Sequence, residues 1–184
     1  LDTAFTAWTG VLWGTENYTE WECSVSTNAI DNQKIWAGLK LTNDQLIATD
    51  DNQVFFKFQT DATNSEAFTD FTLLHFVHSI AGTDYISALP ITVAANTTYH
   101  LKVVIDGDRK ATIFVNGQQY NVTTTAGSTG GTAVTAVAEG ASVTKTDALT
   151  NDVDFIPYIG IEAGAAAAEA LDVHYQAINR VIFE

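Results

Sequence analysis

The sequence predicts an all-β fold built as a two-sheet antiparallel jelly-roll sandwich, and three observations carry that prediction. Residues Thr97 to Val122, TTYHLKVVIDGDRKATIFVNGQQYNV, alternate apolar and polar side chains with a period of two. Further runs of the same kind, separated by turn formers, recur from end to end, and no strong helical pattern competes with them. About ten strands of this length need two sheets or a closed barrel to bury their faces.

Tyr18 to Val25 reads as a strand with Trp21, Cys23 and Val25 on one face and Glu20, Glu22 and Ser24 on the other. Lys34 to Leu41, Gln53 to Gln59 and Phe71 to His78 follow, spaced by the turn-forming stretches Asn28 to Asn32, Thr49 to Asn52 and Thr60 to Ser65. Tyr85 to Leu89 forms a short strand that Pro90 ends. In Thr97 to Val122, Tyr99, Leu101, Val103 and Ile105 point to the core while His100 and Lys102 face outward or toward the second sheet. Asp106-Gly107-Asp108-Arg109 breaks that strand, and Asn116-Gly117 closes the next hairpin because both residues tolerate the positive φ of a type I′ turn. Phe155 to Ile161 and Leu171 to Ile178 complete the set, the latter with Leu171, Val173 and Tyr175 on one face.

Two segments depart from the pattern. Thr123 to Asn151 is rich in Thr, Ala, Gly and Ser and too long for an ordinary connection. It reads as an inserted arm or loop in a domain spanning 1–184, organised by a partner, with Thr132, Val134 and Val137 as its assembly contacts. Gly164 to Ala170 forms either one helical turn or a small-residue loop.

Composition excludes several functions. With 22 acidic and 8 basic residues the net charge is −14, which repels phosphate backbones and anionic headgroups, so neither nucleic acid nor membrane is expected as a direct partner. The single cysteine, Cys23, forms no intrachain disulfide and is expected in the core. No apolar run is long enough to span a bilayer, and Leu1-Asp2-Thr3-Ala4 does not open a secretory signal. The chain contains no methionine, which fits a processed form or part of a longer product.

The order Tyr18 to Val25, Trp36-Ala37-Gly38-Leu39, Val54 to Phe58, the hairpins of Thr97 to Gly117, and the closing Tyr158 to Ile161 and Leu171 to Val173 resembles the concanavalin A-like lectin and glucanase superfamily. Within it, the chain resembles the laminin G-like and phage-encoded domains found in virion proteins of tailed bacteriophages. The resemblance covers roughly Tyr18 to Val181. It implies a non-enzymatic protein of the virion surface, a capsid decoration or appendage component that contacts neighbouring subunits and forms a homo-oligomer. A free carbohydrate-binding or adhesin module is the alternative, and a glycan hydrolase or lyase a more distant one.

No catalytic motif competes with this reading. Glucan hydrolases of that superfamily cluster carboxylates in a Glu-x-Asp-x-x-Glu strand, and neither Glu20-Trp21-Glu22 nor Asp152-Val153-Asp154 is followed by the third acid. His75 and His78, three apart on a strand, face opposite sides and cannot share an ion. His100 and His174 take polar-face positions. Asp50-Asp51-Asn52 and Asp106-Gly107-Asp108 carry oxygen ligands suited to Ca²⁺, but turn formation accounts for both, so no metal or other cofactor is expected. Asn17, Asn96 and Asn121 head glycosylation triplets that arise easily in a chain this rich in Asn and Thr. Trp8 and Trp13 precede the first convincing strand, where exposed indoles would stack on a sugar or anchor a partner.

Overall fold

A computed structural model describes residues 3–7, 13–16, 18–60, 66, 68–127, 130–164 and 169–180, the first of these segments by its backbone alone. The strands are β1 (Thr3–Ala7), β2 (Trp13–Gly14), β3 (Thr19–Thr27), β4 (Gln33–Lys40), β5 (Gln53–Gln59), β6 (Leu73–Ile80), β7 (Thr83–Thr92), β8 (Tyr99–Ile105), β9 (Ala111–Val115), β10 (Gln118–Tyr120), β11 (Thr132–Ala133), β12 (Asp154–Ala163) and β13 (Leu171–Arg180). They form two sheets. The larger runs β1-β12-β4-β5-β6-β7-β11, with β2 also on β12, and the smaller runs β10-β9-β8-β3-β13. Every pairing is antiparallel except that of β11 with β7.

The core lies between the sheets. Trp21, Cys23 and Val25 of β3, Leu101, Val103 and Ile105 of β8, and Ile113 and Val115 of β9 meet Ile35, Ala37 and Leu39 of β4, Val54, Phe56 and Phe58 of β5, and Phe76 of β6. The β8 register is therefore as expected: Leu101, Val103 and Ile105 are buried and Tyr99 packs against them from a half-buried position, whereas His100 is exposed. Asn116 at φ 50° and Gly117 at φ 79° make the turn that the Asn-Gly pair predicts. Burial pushes the Cys23 thiol's pKa up, so it packs as a small apolar side chain.

The larger sheet is buried on both faces, which is why β4 and β5 carry no exposed position at all. Its outer side holds a second cluster of Trp36, Ile47, Phe55, Phe68, Val77, Ile86 and Tyr158. Two glycines make room for it. A Cβ on Gly160 would lie 2.2 Å from the Trp36 ring, and one on Gly38 would lie 2.5 Å from the Phe55 Cα. Gly160→Ala is therefore expected to cost about 1–3 kcal/mol through displacement of the indole, read as a lower urea midpoint. An unchanged midpoint would mean that Trp36 turns aside freely.

Three expectations are corrected. β7 runs through Pro90 to Thr92 instead of ending there, because the β6–β7 register shifts between Leu73 and His75 and Pro90 sits where no ladder donor is needed. Leu171, Val173 and Tyr175 do not share a face: the bulge between Val173 and Tyr175 places Val173 opposite Val25 but Tyr175 opposite Ser24. The third concerns Thr123 to Asn151, which does not wait for a partner to satisfy its backbone. Thr132 and Ala133 pair with Ser87 and Ala88 of β7, and Val134 N–H donates to the Ala88 carbonyl. Val137 N–H donates to Gln119, Val122 N–H to Thr144 and Thr146 N–H to Ala111, while Leu149 and Thr146 are buried. The segment binds the β7 edge of one sheet and the β10 edge of the other.

Candidate functional site

The outer face of the larger sheet sets rows of polar side chains beside the second apolar cluster, and it is closed. Register brings Lys40, Gln53, Ser79 and Asp84 into one row across β4 to β7. Lys40 Nζ lies 3.2 Å from Asp50 and donates to Gln53, Gln53 Nε2 donates to Ser79 Oγ at 2.8 Å, and Ser79 donates to Asp84 at 2.5 Å. Burial lowers the Lys40 pKa and Asp50 acts against it. Asp50 also accepts from the Leu41 and Thr42 amides and the Thr42 hydroxyl, drawing the loop after β4 over the sheet. A second row places Trp36, Lys57 and His75 side by side. Lys57 is held by the Gln45 carbonyl and by Glu66, whose carboxylate also accepts from the Ile47 amide. Lys34 pairs with Glu162 at 2.8 Å. Each buried lysine on this face thus has its own carboxylate under a cover of loop residues.

His75 and His78 are both fully buried, on opposite faces as their spacing requires. His75 stacks on Phe68 with ring centroids 4.0 Å apart, and His78 stacks on Tyr85 at 4.6 Å. No ring nitrogen of either has a well-aligned hydrogen-bond partner, although the Leu73 carbonyl favours a proton on His75 weakly. Burial depresses the pKa of His75 to about 4 and of His78 to about 3.

The outer face of the smaller sheet is open. Lys102 of β8 stands opposite Glu22 of β3 on one side and Phe114 of β9 on the other, and Ser24 stands between His100 and Tyr175. These strands floor a cleft of about 210 Å³ lined by Glu22, His100, Lys102, Phe114, Gly117 and Tyr175. The β13 bulge builds one wall of it. By inserting a residue it turns His174 and Tyr175 toward the same face, where His174 Nε2 meets Ser26 Oγ at 3.1 Å and the Tyr175 ring lies 6.2 Å from that of His100. Tyr175 is 40% exposed, and desolvation followed by the nearby Glu22 carboxylate, its hydrogen-bond partner, raises its pKa. Glu20 Oε2 lies 3.3 Å from Lys102 Nζ and accepts from Asn179 Nδ2 at 3.4 Å. The result is an amphipathic cleft, with an aromatic ring at each end and paired charges on its floor.

The structure redistributes the residues singled out by the sequence. Trp13 is 9% exposed on β2 with the Arg180 guanidinium 5.6 Å from its ring centre, and Trp8 lies outside the described residues. Thr132 and Val134 lie along β7, and Val137 follows the edge of β10. Glu20 and Glu22 border the cleft, whereas Asp154 pairs with Gly14 at the start of β12. Asp106 accepts from the Asp108 and Lys110 amides and from Lys145 Nζ at 2.7 Å, so it shapes its turn. Among the described residues no three His, Cys, Asp or Glu side chains converge as a metal cage would require. Phe114 and Tyr175 are the residues that sequence reasoning missed. The signal for Phe114 was present, an aromatic on the outward alternation of β9; Tyr175 was placed on one face with Leu171 and Val173 because its bulge was not legible.

Fold and cleft together define a two-sheet jelly-roll sandwich with an open cleft on the outer face of its smaller sheet. No family model and no curated protein sequence matches the chain. Solved structures match it in fold. The alginate lyase of Alteromonas sp.272 is 13% identical with a TM-score of 0.54, over 97% of this chain and 78% of that one. The globular domain of T. cruzi calreticulin is 11% identical with a TM-score of 0.51, over 98% and 69%. The alginate lyase of a Corynebacterium species is 10% identical with a TM-score of 0.52, over 93% of this chain but 62% of that one, less than two thirds of its length. These likenesses concern architecture.

Proposed function

We propose that the chain is a non-catalytic recognition module that binds a saccharide in the cleft between Phe114 and Tyr175, and that it does so from the surface of a phage virion beside neighbouring capsid or appendage subunits. The cleft carries the first part. Two aromatic rings offer apolar faces, and Glu22, Lys102 and His100 place hydrogen-bonding groups between them, the combination that fixes a ring studded with hydroxyls. The virion setting rests on the resemblance of residues 18–181 to phage-encoded domains. Against glycoside hydrolysis the support is geometric. A glycosidase needs two carboxyl groups free to act on either side of a bond, and here Lys102 and Asn179 engage Glu20 while Tyr175 engages Glu22.

The purified protein is expected to release no reducing ends from β-glucans and no unsaturated products from alginate, while a glycan array reports binding that Tyr175→Ala removes. Turnover abolished by Glu22→Gln would overturn the non-catalytic reading. A mass-spectrometric inventory of purified phage particles tests the setting: a particle fraction without this chain would refute it.

A further inference from the structure

Resting on that reading, we propose that the saccharide is uncharged, a neutral hexose or N-acetylhexosamine unit, and that the cleft rejects uronates and sulfated sugars. The inventory of cations leads to this. The chain has 8 lysines and arginines in all. Lys34, Lys40 and Lys57 lie buried on the larger sheet, matched to Glu162, Asp50 and Glu66. Lys145 pairs with Asp106, Arg109 donates to the Leu149 carbonyl and Arg180 lies over the Trp13 ring, and neither these six nor Lys110 line the cleft. In the cleft the cation is Lys102, and its ammonium lies 3.3 Å from Glu20. Glu22 stands directly opposite Lys102 in the register. The floor therefore holds one carboxylate, Glu22, and one ammonium that Glu20 already pairs from beside the cleft, inside a protein whose net charge is −14.

A sugar carboxylate entering this cleft would meet repulsion from both the floor and the whole-protein field. It would also take Lys102 from Glu20 and leave that acid without its ion pair. A neutral ring carries no such penalty. Its hydroxyls donate to Glu22 and accept from Lys102 without disturbing the pair, and its apolar face covers Phe114 or Tyr175. The volume of about 210 Å³ is below the range of roughly 300–1,000 Å³ for drug-sized ligands, so the cleft holds one ring of a longer chain.

The test is an NMR titration of the intact protein with laminarihexaose, chitohexaose and hexamannuronate at high and low salt. At least one neutral hexamer is expected to shift resonances of Phe114, Lys102 and Tyr175 with an affinity at least about tenfold above that of hexamannuronate, and low salt should widen the gap. Phe114→Ala and the nearly isosteric Glu22→Gln should each weaken the neutral ligand about tenfold. Hexamannuronate binding at these residues as tightly as a neutral hexamer would overturn the charge selectivity and leave the cleft as a saccharide site. If no hexamer perturbs the cleft, or the neutral ligand is indifferent to both substitutions, the saccharide site itself is wrong.

Discussion

Between pH 7 and pH 5 the protein is expected to lose about 4 kcal/mol of stability through two histidines. His75 and His78 are buried, and burial holds their pKa values near 4 and 3, below the ordinary 6.5. A depressed histidine pKa means that the unfolded chain binds protons which the folded chain refuses. Stability is therefore complete above pH 6.5, falls as pH drops below that value, and levels off only once the folded state protonates near pH 4 and pH 3. Each histidine contributes about 2 kcal/mol of loss by pH 5. The check is a set of urea titrations across this range on the parent and on a His75→Phe/His78→Phe variant, which keeps both stacking rings and removes both proton sites. The variant should be nearly flat over the window. A parent as stable at pH 5 as at pH 7 would show that both rings reach solvent or a partner.

Asp50→Ala should cost about 3–5 kcal/mol, the effect of breaking a buried ion pair from one side. Lys40 and Asp50 are both sealed from solvent at their side chains. Without the carboxylate, the burial that already lowers the Lys40 pKa acts unopposed, and the ammonium must give up its proton or open the site to water. The Leu41 and Thr42 amides lose their acceptor as well. The loop should then lift from the second apolar cluster, so fluorescence from the Trp36 indole should shift to the red. Adding Lys40→Met to Asp50→Ala should restore much of the loss, since the uncompensated charge is gone. A single variant within about 1 kcal/mol of the parent would place the pair in water.

The sandwich was legible because alternation is legible. The inward set of β8 and the opposite faces of His75 and His78 follow from a period of two, the Asn116-Gly117 turn from two residues that tolerate positive φ, and the structure keeps all three. What alternation cannot reveal is a change of phase. The extra residue at His174 turned Tyr175 outward, and without that step the cleft has no wall. Nor does it reveal what lies across from a strand. Lys40, Lys57 and Gln53 look like solvent-facing residues of a half-buried sheet, yet covering loops enclose them, and of the acids responsible Asp50 stands in a stretch that reads as an ordinary turn and Glu66 just past another. The Thr123 to Asn151 segment failed differently. Small residues gave it no core signature, while its order comes from backbone pairing, which composition does not encode.

The strand order has a consequence for how the chain is made. β12 lies between β1 and β4, and β13 supplies one neighbour of β3, so one flank of the larger sheet and one edge of the smaller both depend on residues beyond 153. While a ribosome is still extending the chain, β4 lacks one flank, β3 lacks one edge, and their apolar faces are exposed to every other nascent molecule nearby. Such long-range closure makes folding slow and late. A truncation just before Asp154 is therefore expected to yield sticky fragments instead of a smaller sandwich, and emergence of β13, not of the first strands, sets the moment at which this fold can exist.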